Sequence, residues 1–183
     1  MQEFRAMNEQ FEHRGSPPAP LAASSGGAIG DTRVPRQNRV TPFGDIVAVS
    51  ARGTLMGIRG CLHDGAGRIV RRTRLPAWIY CLLEFKGRKR TVMSPGRYTE
   101  LFFLDEATAL AAGHRPCAER QRGRYKEFIE YWGAANAALL GEEKLRAGAV
   151  DAVLQAERLG LAGGKVTFRA RLGSVPVGCF VAL

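Results

Sequence analysis

The sequence predicts an α+β fold with a small, partly antiparallel sheet. Three observations carry this. Short apolar β candidates crowd the region after residue 38, helical periodicity takes over after residue 104, and an alternating apolar–polar segment returns near the end. A chain of 183 residues with 45% hydrophobic content has enough apolar side chain for one ordinary domain. The expected organisation is a disordered leader over 1–38, a β-rich region over 39–122, and a helical region with a terminal strand over 123–183.

The leader contains GSPPAPLAASSGGAIGD, too poor in large apolar residues to offset the entropy of ordering, with a weak helix around residues 4–11. Residues 45–51 (DIVAVSA) form the first β candidate and 54–57 a second. After the Asp64-Gly65 turn signal, residues 68–74 (RIVRRTR) read as an exposed, very basic strand. Residues 78–85 (WIYCLLEF) are the best buried strand, and Lys86-Gly87 allows a hairpin into 88–93 (RKRTVM). Residues 101–104 add a short apolar strand. Asp105 is then placed as an N-cap, with Glu106 in the first turn and Gly113 as the stop of a short helix.

Tyr125, Phe128, Ile129, Trp132 and Leu139 recur at helical spacing, predicting a helix over 122–140 whose aromatic stripe reads as core. A second helix is expected over 142–159, closed by Arg158 and Gly160. In the last segment Val166, Phe168, Ala170 and Leu172 alternate with Lys165, Thr167, Arg169 and Arg171, predicting a half-exposed strand with a basic outer face. The chain stops within the apolar GCFVAL, which suggests a truncated gene or fragment.

The net charge is +10, from 27 Lys and Arg against 17 Asp and Glu, which favours polyanionic partners such as DNA or RNA. No apolar run approaches the ~20 residues that span a bilayer, and no secretory signal is visible, so a cytoplasmic protein without membrane contact is expected. HDGAGR at 63–68 lacks the lysine and the strand-to-helix context of a P-loop. No GxSxG accompanies the serines, and Asp105 and Glu106 have a capping role that removes them from a nuclease-like cluster with Glu84. No small-molecule ligand is indicated.

Four cysteines occur, at Cys61, Cys81, Cys117 and Cys179, without a CxxC pair. In a reducing compartment they read as buried thiols, metal ligands or a reactive cysteine. Cys61 and His63 lie beside a turn, Cys81 on a strand, and His114 and Cys117 share an HxxC spacing in the GHRPC turn. Cys61, Cys81, His114 and Cys117 are therefore the candidate zinc ligands. The same cysteines are equally compatible with apolar burial.

FFLDEATALAAGHRPC, together with WIYC at 78–81, resembles part of the Ada-type zinc-binding domain of bacterial methylphosphotriester repair. In that family paired aromatics, an EA-rich helix and a Gly-aromatic-Arg-Pro-Cys turn precede a closing CxxC. The resemblance implies an Ada-like helix-turn module, with Cys81 as a zinc-held thiolate that accepts a methyl group and Cys117 as a further ligand. Two positions depart from the family: Phe85 stands where the second ligand belongs, and Arg120 replaces the closing cysteine. From residue 38 onward the chain also resembles a family of bacterial hypothetical proteins that carry CAEC where this chain has CAER and that run on past its end.

Two basic clusters complete the reading. Lys86, Arg88, Lys89 and Arg90 lie on the expected hairpin, while Arg115, Arg120, Arg122, Arg124 and Lys126 surround Cys117, with Tyr98 and Tyr125 as stacking faces. The expected function is a degenerate Ada-like zinc module that binds nucleic acid without catalysis. One rival is a thiol-dependent enzyme accepting an alkyl group on Cys81 or Cys117. A third reading is a structural or interaction protein without metal.

Overall fold

The computed structural model describes residues 34–84, 87, 91–140, 145–160 and 163–182. The leader up to residue 33 and Lys86, Arg88, Lys89 and Arg90 of the expected hairpin lie outside the described residues. The fold is α+β, a mixed six-stranded sheet with helices. The strands are β1 (Arg39–Val40), β2 (Ile46–Val47), β3 (Leu55–Ile58), β4 (Ile79–Leu82), β5 (Leu101–Phe103) and β6 (Arg115–Pro116), in the spatial order β2-β1-β5-β3-β4-β6. β3 pairs antiparallel with both β4 and β5, while β1–β5 and β4–β6 are parallel.

The core is Val40, Leu62, Tyr80, Leu101, Phe103, Ala109 and Ala112. Gly57 sits at the centre of β3, where a Cβ would lie 2.6 Å from both the Ile79 carbonyl and Cε2 of Phe103. Only a residue without a side chain lets the Phe103 ring cross the strand there. Helix α1 (Glu106–Ala111) starts at Asp105, whose carboxylate accepts from the Thr108 amide at 2.7 Å, and buries Thr108 and Ala109 on the sheet. Gly113, at φ +92, turns the chain so that the His114 amide bonds the Ala109 carbonyl at 2.9 Å. This delivers Arg115 and Pro116 to β4 as an edge strand, a place where proline's missing N–H removes no ladder bond the sheet needs.

Helix α2 (Arg122–Ala135) is followed by a separate turn, α3 (Ala137–Leu140), and then by α4 (Ala147–Arg158). The single helix expected over 122–140 breaks because Asn136 caps α2, its side chain donating to the Trp132 carbonyl at 2.8 Å. The aromatic stripe does not make α2 a core helix: none of its residues is fully buried. The second helix begins at Ala147 and docks through Val150, Asp151 and Arg158.

The expected terminal strand is corrected. Among the described residues its alternation finds no neighbouring ladder beyond one Leu159–Lys165 bridge, so Phe168 and Leu172 stand exposed and a short 3₁₀ turn (Leu172–Ser174) follows. The basic segment 68–74 likewise makes, among the described residues, a single bridge, His63–Ile69. β4 stops at Leu82, where its register partner Leu55 begins β3, which leaves Leu82 and Leu83 exposed. No helix among the described residues is long and apolar enough to cross a membrane.

Candidate functional site

The sheet brings Cys81 and Cys117 side by side. β4 and β6 run parallel with Tyr80 opposite Pro116, and the Cys117 amide continues the ladder by donating to the Tyr80 carbonyl at 2.9 Å. The next residues along both chains are the two cysteines, and their sulfurs share a hydrogen bond. Across β3 the register partner of Cys81 is Met56. The Arg120 amide donates to the Cys117 sulfur at 3.4 Å, as does the amide of Glu119, and Arg120 reaches the Met56 sulfur at 4.0 Å.

This setting separates the two thiols. The hydrogen bond from Cys81, opposed by partial burial and helped by the two amides and the Arg120 charge, pulls the Cys117 pKa down to about 5. The same bond and then burial push Cys81 far up. Cys117, half-buried, is thus the thiol of the pair drawn toward the thiolate and Cys81 the one that holds its proton. A thiolate so placed can attack an electrophile or bind a soft metal ion.

The remaining candidate ligands lie elsewhere. Cys61 bonds the His63 carbonyl at 3.7 Å and lines an open cleft of about 920 Å³ with Arg74, Arg97 and Tyr98. His63 is held by Thr99 at 2.6 Å and the Ser94 carbonyl at 3.2 Å. The His114 ring lies against Trp78 and Phe103, and its Nε2 accepts from Arg59 Nε at 3.2 Å. Among the described residues no group of three or more His, Cys, Asp or Glu side chains is placed to hold a metal. The Cys81–Cys117 site supplies two sulfurs, and the family's other positions carry Phe85 and Arg120, neither of which offers a ligand atom for the four-coordinate zinc of that family. The residues present therefore do not fit that zinc site, and the chemistry below uses the thiols alone.

Of the expected nucleic-acid contacts, Arg88, Lys89 and Arg90 fall outside the described residues. Arg115 is buried and bidentate to Asp151, both bonds 2.7 Å, with its guanidinium 5.5 Å from the Tyr125 ring. Burial pulls the Arg115 pKa down, but the Asp151 carboxylate more than offsets this and leaves it raised. Arg124 pairs with Glu106 at 2.5 Å and Glu127 at 2.6 Å, and Glu106 also accepts from the Tyr80 hydroxyl at 2.5 Å. Arg122 and Lys126 are exposed on α2. Sequence reasoning missed Met56 and Asp151. The only signal for Asp151 was an acid placed on the core-facing side of a helix.

No protein-family model, curated protein or solved structure matches this chain.

Proposed function

We propose that this protein works through the Cys117 thiolate as an acceptor of an electrophilic alkyl group, with Cys81 as the thiol that keeps Cys117 deprotonated. The observation that supports this best is the shared Cys81–Cys117 hydrogen bond, with two backbone amides and Arg120 converging on the same sulfur. In the reaction the Cys117 sulfur forms a thioether to the incoming carbon. The bond from that carbon to its leaving oxygen breaks, and the oxygen departs with the electron pair as an anion, which the Arg120 charge acting on Cys117 would stabilise. No proton need move, because the nucleophile is already ionised. A phosphotriester fits as donor class, since its leaving group is a phosphodiester anion. A reducing cytoplasm would keep both thiols available.

The test is limited alkylation by iodoacetamide at pH 7, read by peptide mass spectrometry. Cys117 should react faster than the exposed Cys179, since its thiol is the one drawn toward the thiolate form. The advantage should fall in Cys81→Ala. Equal rates at Cys117 and Cys179 would sink the proposal.

Nucleic-acid binding is the second reading, favoured by the +10 charge and by the exposed Arg122 and Lys126 on α2. It requires a salt-dependent affinity for DNA or RNA that weakens in an Arg122→Ala/Lys126→Ala double variant, measured by fluorescence anisotropy. A salt-independent signal, or none, would rule it out.

A further inference from the structure

At the opposite end of β4 from the thiols, Trp78 marks a second site built of cations. The guanidinium carbon of Arg59 lies 3.9 Å from the centre of a Trp78 ring, and that of Arg158 lies 4.6 Å from it. Arg59 follows β3 and is 1% exposed; Arg158 ends α4 and is 6% exposed. Lys165 joins them, its ammonium donating to the Ala111 carbonyl at the end of α1. These residues and Arg72 line a narrow cleft with Phe43, Gly44 and Ala112, its inner volume about 10 Å³, room for a single oxygen atom. Phe43 and Arg72 are both exposed and form its mouth.

The donors of this cleft are not satisfied. Arg59 gives Nη1 to the Gly44 carbonyl at 2.9 Å and Nε to His114, but among the described residues its Nη2 has no acceptor. Arg158 gives Nη1 to the Pro76 carbonyl at 2.8 Å and to Gln155 at 3.2 Å, which leaves its Nε and Nη2 buried without partners. The nearby carboxylates are engaged, Asp45 by Arg72 at 2.9 Å and Asp151 by Arg115. Burial is the first cause lowering the pKa of Arg59, Arg158 and Lys165; neighbouring cations add to it at Arg59 and Lys165, while at Arg158 the Asp151 carboxylate opposes it. Arginine nevertheless keeps its proton in proteins, so the charge stays in place. Buried charge is expensive, and buried donors left without an acceptor in a native protein call for a partner or a role.

We propose that the cleft lined by Arg59, Arg158, Lys165 and Arg72 is a binding site for a phosphate group, either inorganic phosphate or the terminal phosphate of a phosphomonoester. One oxygen enters between Arg59 Nη2 and Arg158, and the remaining oxygens face Lys165 and Arg72 at the mouth. A phosphate dianion suits the excess of cations better than chloride, which offers no set of oxygens to planar guanidinium forks. It also suits it better than a carboxylate, which brings one charge and two oxygens. The site is independent of the thiol pair and of its chemistry.

The test is isothermal calorimetry on the full chain with inorganic phosphate and, separately, adenosine monophosphate, at constant ionic strength in chloride. Saturable binding of phosphate is expected, weakened about 10- to 100-fold in Arg158→Gln through loss of charge-assisted hydrogen bonds. Because Arg158 is buried, Lys165→Gln, at a half-exposed position, serves as the second variant and should weaken binding about tenfold. Tighter binding of the monophosphate makes the cleft the end pocket for a larger ligand; equal or weaker binding makes it a site for free phosphate. The proposal is overturned by no saturable heat up to about 10 mM of either ligand, or by a folded Lys165→Gln that binds like the parent.

Discussion

Arg115 and Arg59 flank the same strand, one in β6 and one just past β3, and both guanidinium groups are buried, yet they are settled in different ways. Arg115 meets the Asp151 carboxylate in a two-bond fork, and its charge is held above its ordinary stability. Among the described residues the hydrogen-bond acceptors of Arg59 are neutral, the Gly44 carbonyl and the His114 ring, while a second arginine lies against the same indole. The difference teaches that burial alone does not define a buried arginine's role. A paired one is a strut that ties α4 to the sheet edge. An unpaired one leaves donors over for something from outside the chain.

The comparison breaks most directly at Asp151. Asp151→Ala should lower stability by about 3–5 kcal/mol in urea unfolding, because it leaves the buried Arg115 charge uncompensated. A loss below about 1 kcal/mol would show that Arg115 and Arg59 are not different after all. Replacing both partners with apolar residues, Arg115→Met with Asp151→Leu, should recover most of the loss.

The next effect sharpens the unpaired side. Burial first, then Arg59, Arg158 and Lys165, hold the His114 pKa well below its ordinary value. A base with a depressed folded pKa takes up its proton more readily when unfolded. Its contribution is therefore fully present above the unfolded pKa, near 6.5, and is lost as pH falls below that value. Stability measured by urea unfolding should fall between pH 6.5 and 5 with a component of up to about 1.4 kcal/mol per pH unit that His114→Gln removes. An unchanged slope in that variant would contradict the neutral His114.

The smallest effect belongs to the surface pair. Arg124, about half exposed, pairs with Glu106 and Glu127, so Arg124→Ala should cost less than about 1 kcal/mol in urea unfolding and lose even that in high salt. A cost matching that of Asp151→Ala would mean exposure does not separate these ion pairs.

Local chemistry was readable in the sequence and pairing was not. Asp105 and Gly113 bound their helix as their side-chain and backbone preferences require, and the apolar runs contain β4 and β5. Cys81 and Cys117 stood out from residue type and setting. β1 and β6, of two residues each, exist only because neighbouring strands supply partners, which no local pattern encodes. The alternation after residue 165 failed for the complementary reason: the pattern is present, but no ladder receives it. Nothing local in the sequence marks Arg59, because the chain brings Gly44, Trp78 and His114 around it from three distant segments.

The bare Cα of Gly57 has a reach beyond its own strand. The Phe103 ring that fills the space over it also stands edge-on to His114, 4.6 Å between centres, and His114 in turn receives Arg59. A methyl group added at Gly57 would displace the ring, the imidazole and the guanidinium in sequence. In this molecule the absence of one carbon atom in the sheet thus sets where positive charge resides, and volume there works as an electrostatic coordinate.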